Sequence, residues 1–426
     1  MLASNESKQR VKKILWVSPR WLLPINDGAR QATDRLLKLT KDDKSYEVDL
    51  LVWSDVKVEA KSTVQLKVIY GLNDVLVLRR FLSFLSPVFR KVIFTLLSGI
   101  FFKPLSVFNF FSFRLHWLNL MGWSSKYDII VFDAPHGAFS FICLWRQKFY
   151  SKLPKYILRA QNLETQVWKG ERDISKTWKK CIISFQTQLM KSFEGFIVKE
   201  STSIACVSEN DAQLFRRFFK SIKAVEIPVG YDFGNKPFLP FINNISQVND
   251  DDSKQRIFRW GFLGKLDWAP NSQGLIWFLQ EVWPLVKENS KISLCIAGSG
   301  KMSAELQQLV KSSGVQFLGF VSDITDFYNH VDGVIIPIFY GGGTRVKAIE
   351  AGQQGKVLLS TSLGVNGLSL IPDEEYLLAD NKESWIEWLS EKSTKINSET
   401  ITQKCFIKLY KKFDLKFIKV NWLKLL

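Results

Sequence analysis

Residues 341–350 read GGGTRVKAIE, three glycines directly before a helix-like run. Helix N-termini carry unpaired N–H groups and a partial positive charge, which suits them to hold phosphate. Glycine has no Cβ to keep the backbone away from an anion. Gly342, Gly343 and Thr344, followed by the charges of Arg345 and Lys347, therefore read as a diphosphate cradle. Glu350 lies two turns into the helix, and a carboxylate accepting two hydrogen bonds can grip a ribose diol. A plainer reading stands beside this one. Lys347 and Glu350 are three residues apart and could form a surface pair worth about 0.2–0.5 kcal/mol.

The elements that must position this stretch are set by the apolar pattern. KKILWVSPRW (12–21) opens with a buried-strand run, PINDG ends at Gly28, and ARQATDRLLKLT has helical spacing. YEVDLLVW (46–53) is the next strand, which completes a βαβ unit. YDIIVFDAP, YILRA and SIACVS continue the series, so residues 1–240 read as an α/β domain with a parallel sheet. The polar stretch within 241–256 reads as a linker. From 257 to 395 the alternation resumes: strand 257–264, helix 271–288, strand 292–298, helix 303–313, strand 315–319, a short helix near 323–330, strand 333–338, the glycine turn, a helix and strand 356–360. That order predicts a second doubly wound domain, with ligands beyond the carboxyl ends of its strands. The tail, 396–426, is basic and amphipathic; it is expected to pack on the first domain, with a membrane surface as the other option.

The 426 residues carry 58 Lys and Arg against 41 Asp and Glu, a formal charge of +17. Such a surface suits nucleic acid, an anionic bilayer or phosphate-bearing substrates, or simply reflects abundant lysine. Two readings stay open for the Phe-rich segment 81–121. It forms buried helices, or an interfacial surface whose basic residues meet lipid phosphates. Its longest uncharged run, Val92–Phe102, is about half of the roughly 20 residues that a membrane span needs. The five cysteines include no CxxC pair and the three histidines are scattered, which fits reduced thiols in a cytosolic protein and argues against a His-rich metal site. The polar N-terminus lacks the apolar core of a signal peptide. Nucleic-acid binding has only the charge in its favour, since no reading motif is present.

Several segments resemble the C-terminal domain of retaining GT-B glycosyltransferases, the "glycosyl transferases group 1" or family 4 class. They are FLGKLDWAPNSQGLIWFLQEVWP, IAGSG, VQFLGFVSDI, VIIPIFYGGGTRVKAIEAGQQGKVLLST and GVNGL, in family order between Phe262 and Leu368. The resemblance implies an α/β GT-B fold, two Rossmann-like doubly wound domains facing across a cleft, with a nucleoside-diphosphate sugar held by the second. By this resemblance the base sits by the backbone of Gly319, Phe320 and Val321, Glu350 holds the ribose, and Lys265 touches the diphosphate, with Asp267, Pro270 and Asn271 continuing its loop. Two departures are visible. Gly342 stands where many members carry a first glutamate, and Asn271 stands where many carry a second diphosphate-binding lysine, for which Arg345 or Lys347 could compensate. In the first domain WVSPRWLLPINDGAR resembles the family's glycine loop, placing Gly28 and Ala29 under the donor phosphates or acceptor. FDAPH resembles the acceptor-side His-x-Pro segment, with Asp133 in the His place and His136 three on. ILRAQNLE puts Gln161 and Asn162 on the acceptor side, with Gln161 replacing the family's His. CVSENDAQLF resembles the family's Ser-Glu-x-Asp segment.

The activity that the resemblance implies is transfer of a sugar to a hydroxyl with retention, Asp133, His136 and Lys265 being the catalytic candidates. No cofactor and no metal are expected. The Phe-rich basic segment and the net charge point to a lipid-linked or polysaccharide acceptor and to a peripheral position on the inner face of a membrane. Two alternatives remain: a GT-B sugar-nucleotide 2-epimerase, against which Gly342 and Gln161 count, and a catalytically silent glycan-binding relative.

Overall fold

The computed structural model describes residues 10–25, 28–54, 58–120, 122–142, 154–174, 177–234, 257–288, 291–340, 345–390 and 398–426. The expected linker, 241–256, lies outside the described residues. Two compact units emerge, one of Met1–Gly230 with Leu415–Leu426, the other of Tyr231–Asp414.

The first unit holds seven strands: β1 (Lys12–Ser18), β2 (Tyr46–Ser54), β3 (Val75–Arg79), β4 (Ile129–Asp133), β5 (Lys155–Ala160), β6 (Ser203–Cys206) and β7 (Ala224–Glu226). Their order is β3-β2-β1-β4-β5-β6-β7 and every pairing is parallel. β1 shows why the sequence runs apolar without alternation. Leu15 and Val17 enter the core on one face, Ile14 and Trp16 that on the other, and all four are buried. A parallel strand covered on both faces needs this pattern. Helix Leu415–Leu425 completes one face: Trp422 is fully buried against Trp16, with ring centroids 5.6 Å apart, and its indole N–H donates to Thr40 Oγ1 at 2.9 Å.

The second unit holds β8 (Phe258–Leu263), β9 (Ile292–Ala297), β10 (Gln316–Gly319), β11 (Gly333–Ile336), β12 (Val357–Ser360) and β13 (Leu377–Leu378), in the order β10-β9-β8-β11-β12-β13, again all parallel. The tail read as one piece therefore divides. Helix Ser398–Phe413 belongs to the second unit, where Leu409 and Cys405 sit so close to Gly352 that a Cβ there would stand 2.3 Å from Leu409 Cδ1. The single helix expected over 271–288 is also broken. Ala269–Trp277 is α-helical, Phe278–Val282 forms a π turn and Trp283–Val286 resumes the α form. Pro284 lacks an N–H and would clash with the carbonyl four residues back, and a π turn before it relieves that clash.

In each sheet the strand order reverses once, between β1 and β4 and between β8 and β11. Open α/β sheets bind ligands beyond the carboxyl ends of strands at such switch points.

Candidate functional site

In the second unit the switch point lies where β8 and β11 are paired, Gly333 against Trp260 and Val334 against Gly261. The chain leaving β8 is tied to the end of β9: Gly264 N donates to Ala297 O at 3.2 Å and Leu266 N to Ser299 O at 2.7 Å. The fit is close. A Cβ on Gly298 would stand 1.9 Å from Gly264 O, and one on Gly274 would stand 1.7 Å from Pro337 O, just past β11. Both positions require glycine because backbone meets backbone there.

That frame sets five side chains. Lys265 projects with its Nζ 3.6 Å from Asp267 and is largely exposed. Asn271 is buried, its amide donating to Lys265 O at 2.9 Å while its carbonyl accepts from Lys347 Nζ at 2.7 Å. Lys347 Nζ also stands 4.4 Å over the Phe262 ring. Burial, reinforced by Arg345 and partly opposed by Glu350, pulls the Lys347 amine from its ordinary 10.5 down to about 7. Arg345 is buried at the N-cap of helix Val346–Gln353, and burial lowers its guanidinium from the ordinary value. Glu350 follows on that helix, half-buried. Burial, and after it the charge of Glu350, push the enclosed Tyr328 hydroxyl well above its usual value. The arrangement gathers cationic groups and the carboxylates of Asp267 and Glu350 beyond two adjacent strand ends. Gly342, Gly343 and Thr344 lie outside the described residues.

Gly319 ends β10 with φ +71, and its carbonyl accepts from Gly298 N at 2.8 Å. A Cβ there would meet open space, so the positive φ is the reason for glycine. Phe320, next to it, is exposed and Val321 half-buried.

In the first unit Asp133 ends β4 at the other switch point. It is fully buried in an ion pair with Arg159, and it also accepts from Thr33 Oγ1 and, at 3.3 Å, from Gln161 Nε2. Arg159 Nη1 donates to Thr33 Oγ1 at 3.3 Å. Both carboxylate oxygens are thus engaged by protein donors, which fits Asp133 to hold Arg159 and Thr33 in place. Ala134 follows at φ 97, an uncommon conformation for a residue with a Cβ, and turns the chain into Pro135–Ala138. His136 in that turn has Nε2 3.2 Å from Ser106 Oγ and its ring 5.7 Å from Phe110. Burial first, with Arg20 adding and Glu164 opposing, lowers its pKa, so the ring is neutral at pH 7. Asn162 is exposed, and Gly28 begins helix Gly28–Lys41.

Two features bear on how the sequence is read. The Ser-Glu-x-Asp segment serves as a helix cap: Ser208 accepts from Asp211 N at 3.1 Å at the start of Glu209–Phe219. Glu194, unnoticed in the sequence, is fully buried on helix Thr177–Glu200 and accepts the N–H groups of Glu164 at 2.7 Å and Thr165 at 2.8 Å. Burial outweighs these bonds and pushes its carboxyl up to about 7. A lone glutamate between the core residues Phe193 and Ile197 was the available signal.

Residues 258–391, within the second unit, match the family described as Glycosyl transferases group 1. A Klebsiella pneumoniae protein described as an uncharacterized 44.6 kDa protein in the cps region is 31% identical over 129 residues, 28% of this chain and 33% of that protein. The chain thus spans a third of the length of that curated relative. Three solved structures share the fold over 97% of this chain and 98% of theirs, each at TM-score 0.61: Anabaena HepE in complex with UDP and Thermosynechococcus elongatus sucrose-phosphate synthase, both at 15% identity, and TarM at 11%. The fold is of the GT-B class. Among the described residues no group of three or more His, Cys, Asp or Glu could hold a metal ion, and no helix is long and apolar enough to cross a membrane.

Proposed function

We propose that the chain is a retaining glycosyltransferase that moves a sugar from a nucleoside diphosphate to a hydroxyl of a lipid-linked or polysaccharide acceptor in cell-surface glycan synthesis. The observation that carries the proposal is the cluster Lys265, Asn271, Arg345, Lys347 and Glu350 at the switch point of a glycosyl transferases group 1 domain. As the glycosidic bond to the diphosphate breaks, negative charge grows on the leaving oxygens. Lys265 and Arg345 are cations able to stabilise it, and Lys347, whose amine is held at about 7, becomes one as a diphosphate beside it raises its pKa. Glu350 accepts the ribose hydroxyls. Protein cations supply the charge that a metal supplies elsewhere, so transfer is expected without added metal.

HepE is described with UDP and with UDP-glucose, and TarM with UDP, which supports a uridine nucleotide as the first donor to try. The cps-region relative supports a surface-glycan acceptor. Such an acceptor fits a peripheral position on the inner face of a membrane. On the acceptor side Gln161 and Asn162 are candidates to meet the substrate, and the neutral His136 ring is able to hydrogen-bond to a hydroxyl. The engagement of Asp133 by Arg159 favours one second reading, a silent relative that binds the nucleotide sugar without transferring it.

The test is transfer of labelled sugar from UDP-, GDP- and ADP-sugars to organic-extractable or polymeric material, with the product's anomeric configuration read by NMR. A product with the donor's configuration, lost in Glu350→Ala, is expected. Binding of the donor with no transfer to lipid or polysaccharide extracts selects the silent relative.

A further inference from the structure

We propose that helix Pro87–Phe101 and the turn after it form a docking surface for an anionic phospholipid bilayer. This deepens the membrane-linked acceptor reading and rests on it for its purpose, while its evidence comes from the first unit alone.

Phe89, Val92, Leu96 and Ile100 are between 56% and 69% exposed. At 100° per residue they fall within an arc of about 80° on one side of the helix. The opposite side anchors the helix to the core. Phe94 is buried and stacks on Phe81 at 6.3 Å, and Ser98 is buried, accepting from Gln186 Nε2 at 2.8 Å and donating to Lys103 O at 2.6 Å. The exposed stripe is therefore surplus to the fold. An apolar helix face belongs against a core or a membrane, and this one has no protein over it among the described residues. Exposed Phe101, the last residue of the helix, and exposed Phe102 just past it extend the apolar surface. Phe102 occupies the C-cap in the left-handed region, φ 49, where glycine is the usual choice. An aromatic side chain is thus held outward at a position that local geometry reserves for none.

Charge selects the occupant. From Val75 to Tyr127 the sequence has no Asp or Glu and seven Lys or Arg, with Arg90 and Lys91 on the helix itself and Lys103 just after it. Apolar side chains bordered by cations and free of carboxylates match lipid phosphates above acyl chains. A second copy of this chain would bring the same positive surface to the contact, which repels.

The test is co-sedimentation of the full chain with phosphatidylcholine vesicles, with and without phosphatidylglycerol. The wild type is expected to pellet with the anionic vesicles and to be released by salt. The triple variant Phe89→Ser/Leu96→Ser/Ile100→Ser and the charge reversal Lys91→Glu/Lys103→Glu should each bind at least about tenfold more weakly. Both should keep the thermal shift with nucleotide sugar measured without vesicles, which reports folding and the donor site. A wild type that stays in the supernatant, or a triple variant that binds like wild type, overturns the proposal. So does a dimer, seen by ultracentrifugation, that the triple variant abolishes. Vesicle binding without any nucleotide-sugar shift would instead sink the donor reading and leave this surface standing.

Discussion

Lys347 offers the sharpest link between site geometry and a measurable quantity. Its amine is held at about 7 in the ligand-free protein, against an ordinary 10.5, with burial the main cause. At pH 8 it is therefore about nine-tenths neutral, and at pH 6 about nine-tenths charged. A diphosphate placed beside it favours the charged form and restores a high pKa. Donor binding should then take up about 0.9 proton at pH 8 and about 0.1 at pH 6. Affinity should fall by up to about tenfold per pH unit above 7, until the pKa of the bound state is reached. The assay is calorimetry with UDP-glucose, whose diphosphate has no titrating group near neutrality, in buffers of different ionisation enthalpy. Lys347→Met should abolish the uptake and weaken binding. The same lysine should cost stability in the free protein. Its folded pKa is depressed, so its contribution is complete only above 10.5 and is lost as pH falls towards 7. With solvent screening of a half-buried side chain the loss is ~2–4 kcal/mol. Lys347→Met should accordingly raise the melting temperature at pH 6 while impairing binding. Equal proton uptake in wild type and variant, or none in either at pH 8, refutes this reasoning.

Three further perturbations have defined outcomes. Glu194 has a folded pKa raised from 4.5 to about 7, so its contribution is complete below 4.5 and is lost as pH rises through 7; Glu194→Gln should flatten the stability profile across that window, an effect of ~2–3 kcal/mol read by denaturant unfolding. Arg159→Met leaves Asp133 buried without its ion-pair partner and should cost ~3–5 kcal/mol, whereas Arg159→Met with Asp133→Leu should recover most of that loss in a double-mutant cycle. Gly274→Ala pushes a Cβ into Pro337 O and should destabilise by ~1–3 kcal/mol and weaken nucleotide-sugar binding, as seen in melting with and without donor.

Legibility in the sequence depended on local pattern. Ile14 and Trp16 against Leu15 and Val17 announce a strand covered on both faces, and the βα alternation after it dictates two doubly wound sheets. Capping is local too, and Ser208 with Asp211 could be read as a helix start. The parts that stayed hidden depend on distant residues meeting. Asn271 reads in sequence as a missing lysine for which Arg345 or Lys347 could compensate, but only folding brings Lys347, 76 residues on, to that same side chain. Asp133 reads as a substituted histidine, and only folding brings Arg159 and Thr33 onto it. Glu194 shows in the sequence only as a lone glutamate among core residues, because its partners, the N–H groups of Glu164 and Thr165 and the Thr165 hydroxyl, lie about 30 residues away. The broken helix before Pro284 was readable from proline alone, but its π form reflects how the freed carbonyls repack.

The most direct test of the central claim is a thermal-shift series without added metal, wild type beside Glu350→Ala, against UDP-, GDP- and ADP-sugars. A ligand that binds only the folded state raises its stability by mass action. The account predicts that one nucleotide class shifts the wild type and that the shift is lost in Glu350→Ala. A shift that persists undiminished in Glu350→Ala would contradict the placement of the donor at the β8–β11 switch point.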